Sequence, residues 1–231
     1  FDRELSHKNI TPLKFDIKSN PDLEARRVLV LLALNKGIQQ AQEFLTKAPS
    51  HPLAPRVLFQ LGQTYRKPSE ERDKEIGKAN YQFELLIEKY PASEFTDPAR
   101  YYSALTSTAL KTDSADKNAI LRFRELINKK GVLANEAAIN LCSLLIARNQ
   151  QERALGEIVT FLKNENNSES DQRRFLILGA DASNQIGQHE IALEFYDRLL
   201  KLKNLPASTQ NRAHYISGQA LEKLGKNAQA L

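Results

Sequence analysis

Apolar residues recur along most of the chain at spacings of three and four, as in Leu23, Val28, Leu31, Leu32 and Leu34, and again in Phe83, Leu86, Ile87 and Tyr90. That period places them on one face of a helix, and no stretch sustains the alternation of a half-buried strand. The expected fold class is therefore all-α. Breakers punctuate the pattern: Pro12, Pro21, Pro49, Pro52, Pro55, Pro68, Pro91 and Pro98 crowd the first half, and only Pro206 follows. Helix starts are predicted at Asn20-Pro21, Asp97-Pro98 and Ser170-Asp171, where a side-chain acceptor precedes a first turn. A proline there loses no intrahelical bond.

The pattern repeats. Ala41, Ala79, Ala119, Ala154, Ala192 and Ala230 follow one another at intervals of 38, 40, 35, 38 and 38 residues. Four positions after the first five stand Leu45, Phe83, Phe123, Ile158 and Tyr196, and seven after them Ala48, Leu86, Leu126, Phe161 and Leu199. A small residue followed by larger ones at one and two turns suits the second helix of a helical hairpin. The small residue permits close approach within the hairpin, and the larger ones fill the gap to the next.

A first helix lies upstream of each alanine. The clearest, Leu58-Phe59-Gln60-Leu61-Gly62-Gln63-Thr64-Tyr65, resembles the W-x2-L-G-x2-Y segment of the tetratricopeptide repeat (TPR), with Leu58 in place of Trp. Leu176-Gly179-Ala180 and Ser217-Gly218-Leu221 repeat the register, and Gly187 and Gly225 stand at the following turn. Ala79, Phe83 and Pro91 match the A-x3-F…P segment of the same family. The resemblance covers residues 21–231 and implies a right-handed superhelical solenoid of about six TPR-like helical hairpins. Residues 1–20 are read as an extended segment or the end of a preceding element. Departures include about five extra residues around Lys67 to Asp73, expected to lengthen a hairpin loop, and a similar stretch from Asp113 to Lys117. The third unit lacks the Gly, and the fourth has Cys142 in its place. A chain without Met whose last unit stops at Leu231, just inside its second helix, is expected to be part of a longer product.

With 231 residues, 41% of them hydrophobic and 26% charged, a sizeable core can form, and no apolar run is long enough to span a bilayer. Thirty-three Lys and Arg against 28 Asp and Glu leave a net charge of +5, interleaved along the chain rather than gathered beside exposed aromatics. Nucleic acid is therefore not the expected partner. The single cysteine, Cys142, cannot form an internal disulfide and reads as a small buried apolar group. His7, His51, His189 and His214 are scattered, with no metal-ligand spacing, so neither a metal nor another cofactor is expected. Glycine-rich phosphate loops and nucleophile elbows have no candidate segment. Glu70, Glu71, Asp73 and Glu75, beside Arg72 and Lys74, read as a solvated charged run rather than an acid/base pair. The expected function is non-catalytic.

The family resemblance implies a concave groove lined by the first helices. By register, the groove would present Arg56, Phe59, Gln63 and Arg66 from the second unit, and Tyr102 and Thr106 from the third. The fifth would add Arg174, Ile177, Asp181 and Asn184, and the sixth Arg212, Tyr215 and Gln219. Such a face can hold an extended or helical peptide, with Phe59, Tyr102 and Tyr215 as anchors and the arginines facing carboxylates or carbonyls. Each aromatic could equally serve as packing between hairpins. The chaperone-binding members of the family carry a Lys/Asn carboxylate clamp where Phe59 and Gln63 stand here, so that mode is not expected.

Tyr81-Gln82-Phe83-Glu84-Leu85-Leu86-Ile87-Glu88-Lys89-Tyr90-Pro91-Ala92-Ser93-Glu94-Phe95, followed by Pro98-Ala99-Arg100-Tyr101-Tyr102, resembles a pattern common in cell-envelope TPR proteins of Gram-negative bacteria, of the BamD and Tol-Pal coordinator types. The resemblance implies an interaction scaffold within a bacterial multiprotein assembly, in the periplasm or cell envelope. The alternative is a structural spacer or oligomerisation solenoid whose groove is filled by its own N-terminal residues, among them Phe1, Leu5, Ile10, Leu13, Phe15 and Ile17.

Overall fold

The computed structural model describes residues 20–67, 72–164 and 167–226, with the side chains of residues 72–74 excepted. Within them lie eleven helices and no strand: α1 (Pro21–Ala33), α2 (Ile38–Lys47), α3 (Ala54–Tyr65), α4 (Arg72–Lys89), α5 (Thr96–Leu110), α6 (Asp113–Lys129), α7 (Ala134–Ala147), α8 (Gln151–Leu162), α9 (Glu169–Gln185), α10 (His189–Leu200) and α11 (Ala207–Lys223). Each helix packs on the next, giving five hairpins and the first helix of a sixth. First helices of neighbouring hairpins also touch, α1 with α3 and α7 with α9. This is an α-solenoid of helical hairpins, as the repeat implied. Residues 1–19, Ala230 and Leu231 lie outside the described residues, so the expected N-terminal segment and the second helix of the sixth unit do too.

Two kinds of turn build the stack. Hairpin turns reverse the chain through a residue in the left-handed region: Asn35 (φ 58°), Asn149 (φ 55°) and Gly187 (φ 75°), with Gly225 (φ 71°) in the same place after α11. Asn is the side-chain-bearing residue that best tolerates this conformation. At all four, the next amide returns to a carbonyl five residues back in the closing pattern: Lys36 to Leu31, Gln150 to Leu145, Gln188 to Ser183 and Lys226 to Leu221, at 2.8–2.9 Å. The first three turns between hairpins, before α3, α5 and α7, share a different closure, in which Ala54, Thr96 and Ala134 donate to the carbonyls of His51, Ser93 and Gly131. The Tyr90–Phe95 motif builds one of these. Tyr90 donates its hydroxyl to the Pro49 carbonyl, Thr96 Oγ1 donates to the Tyr90 carbonyl (2.7 Å), and Ser93 Oγ accepts from the Phe95 amide (3.2 Å).

The repeated alanines locate the core. Ala41, Ala79, Ala119, Ala154 and Ala192 are all fully buried, as are Phe83, Phe123 and Ile158, with Tyr196 nearly so. The first unit departs: Phe44, three positions after Ala41, is the buried residue, and Leu45 is only half-buried.

Helix starts need correction at two of three places. Asn20 caps α1 as expected, accepting from the Asp22 and Leu23 amides. Asp97-Pro98 lies inside the first turn of α5, which begins at Thr96, and α9 is capped by Ser168, whose hydroxyl accepts from Asp171. The extra residues near Asp73 and Asp113–Lys117 do not simply lengthen loops. They extend the second helices, so α4 starts at Arg72 and α6 at Asp113, further ahead of Ala79 and Ala119 than α8 and α10 start ahead of theirs.

Candidate functional site

The predicted groove residues fall into a packed group and an open group. Phe59, half-buried on α3, lies 5.9 Å from the Phe83 ring, 5.5 Å from Phe95 and 5.8 Å from Tyr102. Tyr102 stacks on Phe83, and the Arg66 guanidinium rests 4.3 Å from the Tyr102 ring centre while donating to Gln63 Oε1 (2.6 Å). These aromatics tie the second hairpin to the third. Only the cation on Tyr102 and the exposed Arg56 leave this group a polar outer edge.

Thr106 is not on an open face. It is 4% exposed, and its hydroxyl is held by Asn80 Oδ1 (3.0 Å) and by carbonyls of its own helix. The reason is register. The turn bond that pairs Ala54 with Thr96 carries Phe59 to Tyr101, one residue before the position the sequence indicated. Tyr101 is half-buried, accepts from Asn140 Nδ2 (3.2 Å) and donates to Glu136 Oε1 (3.4 Å).

From α7 onward the first helices form a ladder of paired polar groups. Glu136 on α7 accepts from Tyr101 on α5 and from Arg174 on α9, whose Nη2 stands 3.0 Å from Oε1. The Arg174 bond holds the Glu136 carboxyl below the usual carboxylate range, against an opposing push from burial. One hairpin on, Asp181 accepts from the Tyr196 hydroxyl (3.1 Å) and from Arg212 Nη2 on α11 (2.9 Å). Burial and the Asp181 charge push the Tyr196 phenol far up, so it stays protonated and donating. Asn184 Oδ1 meets His189 Nδ1 (2.8 Å) at the hairpin turn, and Gln219 donates to the Tyr215 hydroxyl (2.9 Å). Tyr215 is 67% exposed and the Arg212 side chain 60%. Beside them, Ile177 lines a cavity of 240 Å³ between α9, α10 and α11.

Glu136 and Asn140 escaped the sequence reading, which named no groove residue from the fourth unit. The signal was present: the shift that carries Gly62 to Cys142 also carries Arg56 to Glu136. Among the described residues no group of three or more His, Cys, Asp or Glu side chains is placed to hold a metal. Nor is any helix there long and apolar enough to cross a membrane.

No sequence-family profile and no curated protein matches the chain. Solved structures do. A tetratricopeptide repeat protein from Parabacteroides merdae superposes with a TM-score of 0.56 at 17% identity, over 93% of this chain and 74% of that one. A Podosopora anserina protein described as a kinesin light chain, with nearly identical TPR-like repeats, superposes with a TM-score of 0.55 at 14% identity, over 84% and 96% of the two chains. At such identities the likeness concerns the fold, and the fold is that of the tetratricopeptide-type solenoids.

Proposed function

We propose that the chain is a non-catalytic scaffold that binds a peptide or a segment of a protein partner along the face made by its first helices. The observation that carries this reading is the α7–α9–α11 ladder. Arg174 and Arg212 are fixed in direction by Glu136 and Asp181 yet remain 39% and 60% exposed, beside an outward-facing Tyr215. Arginine and tyrosine held in place on an open surface lose little side-chain freedom when a partner arrives, and these residue types dominate binding energy at interfaces. A role within a bacterial multiprotein assembly is part of the proposal. It is supported by the envelope-type pattern of Tyr81–Phe95 followed by Pro98–Tyr102.

The test compares capture from host lysate by the chain and by an Arg174→Ala, Arg212→Ala, Tyr215→Ala variant of equal helicity. A protein retained by the first and lost by the second supports a binding face on the first helices. Identical retention by both would move the binding elsewhere and leave the solenoid as a spacer.

A further inference from the structure

The cavity between α9, α10 and α11 is lined by the apolar side chains of Ile177, Leu199 and Ala213 and by the polar groups of Asp181, Tyr196, Ser208, Thr209 and Arg212. At 240 Å³ it exceeds the roughly 150 Å³ that an apolar cavity needs to take up benzene, so a Phe or Leu side chain fits. These polar groups are unequally engaged. Asp181 is engaged at both oxygens, by Tyr196 and by Arg212. Arg212 makes one hydrogen bond among the described residues, from Nη2, so most of the five N–H donors of its guanidinium remain available. The hydroxyls of Ser208 and Thr209, which also line the cavity, have no partner among the described residues, and the first turn of α11 holds no acidic side chain.

We infer that this cavity seats an aromatic or aliphatic side chain of an acidic segment of the partner, with the adjoining carboxylate of that segment on Arg212, Ser208 and Thr209. The inference rests on the scaffold reading and names the partner chemistry at one point of its face. Donors outnumber acceptors there. A carboxylate gains charge-assisted bonds from them, whereas an incoming ammonium would find Asp181 already paired and Arg212 repelling it.

The test uses the full chain and three small probes, phenylacetate, phenylacetamide and phenethylamine, titrated while the Ile177 methyl groups and the Ser208 and Thr209 amides are followed by NMR. Saturable shifts with phenylacetate, about tenfold tighter than with phenylacetamide, are expected. Arg212→Gln should bring the two probes together. Ser208→Glu, at an exposed position where a first-turn carboxylate favours the helix, should abolish phenylacetate binding with the fold intact. Absence of saturable shifts, equal affinity for acid and amide, or a preference for phenethylamine would each overturn the inference. A chain that captures a partner through Arg174 and Tyr215 but ignores phenylacetate would lose this inference and keep the scaffold reading.

Discussion

Gly62 of α3 lies against the ring of Phe83 of α4 so closely that a Cβ built on the glycine would stand 2.6 Å from Cε1 and 2.8 Å from Cζ. Phe83 is fully buried and cannot swing aside. The contact recurs in the fifth hairpin with both partners moved: a Cβ on Gly179 would stand 2.8 Å from Phe195, which follows Ala192 by three positions where Phe83 follows Ala79 by four. The missing side chain therefore sets how near the two helices of a hairpin can come. Gly62→Ala should gain about 1 kcal/mol of helix propensity and lose more to overpacking, a net destabilisation of about 1–2 kcal/mol. Gly156 on α8 is the control, since a Cβ there meets nothing within 4 Å. Gly156→Ala should stabilise by about 0.5–1 kcal/mol. Urea midpoints moving in the same direction for both variants would contradict this account.

Phe59 and Arg174 were both indicated as groove residues, yet their environments differ. Phe59 touches Phe83, Phe95 and Tyr102, so Phe59→Ala should cost about 2–3 kcal/mol, below the range for a fully buried ring. Arg174 forms a pair exposed at both ends, worth less than about 1 kcal/mol. Thermal melting should therefore fall clearly for Phe59→Ala and little for Arg174→Ala. The reverse order would mean that Phe59 is a surface anchor and Arg174 a structural pin.

Cys142 is fully buried, and burial pushes its thiol up to about 12, with the Glu157 charge adding to the effect. Thiolate is the reactive form. Iodoacetamide at mildly alkaline pH should leave the folded chain unlabelled and label it promptly in denaturant. Rapid labelling of the folded chain would show that α7 opens locally.

The solenoid was legible because its signal is redundant. The same small residue returns in each unit at a position that must be buried, and five of the six alanines are fully buried with the sixth outside the described residues. Face assignments had no such redundancy. A one-residue error rotates a helix position by about 100°, which is why Tyr102 and Thr106 were indicated where Tyr101 and Leu105 stand. Phe44 was missed for the same reason, since α2 turns its larger aromatic inward one residue before Leu45. Pairing was not legible at all. Nothing in the spacing of Asp181, Tyr196 and Arg212 announces that they meet, because the contact joins three helices whose offset is set by packing.

Glu84 lies at the centre of a polar seam joining α4, α5 and α6. It accepts from the Arg122 guanidinium, from the Ser103 hydroxyl and from Asn118 Nδ2 (3.2 Å), while Arg122 also reaches Glu125 (3.0 Å). Burial alone would push the Glu84 carboxyl up, but the bonds from Arg122, Ser103 and Asn118 together hold it below its ordinary 4.5. A carboxyl lowered in the folded state adds stability above its unfolded value, and that stability is lost as pH falls through the folded value. The gap in melting temperature between the native chain and Glu84→Gln should therefore be steady from about pH 7 to about pH 5 and close as pH falls below the ordinary value. Asp97, lowered by Lys129 and Arg100 against burial, titrates in both proteins and drops out of the comparison. A gap that persists unchanged to about pH 3 would mean that the seam is held by shape and neutral hydrogen bonds, with the Glu84 charge contributing nothing.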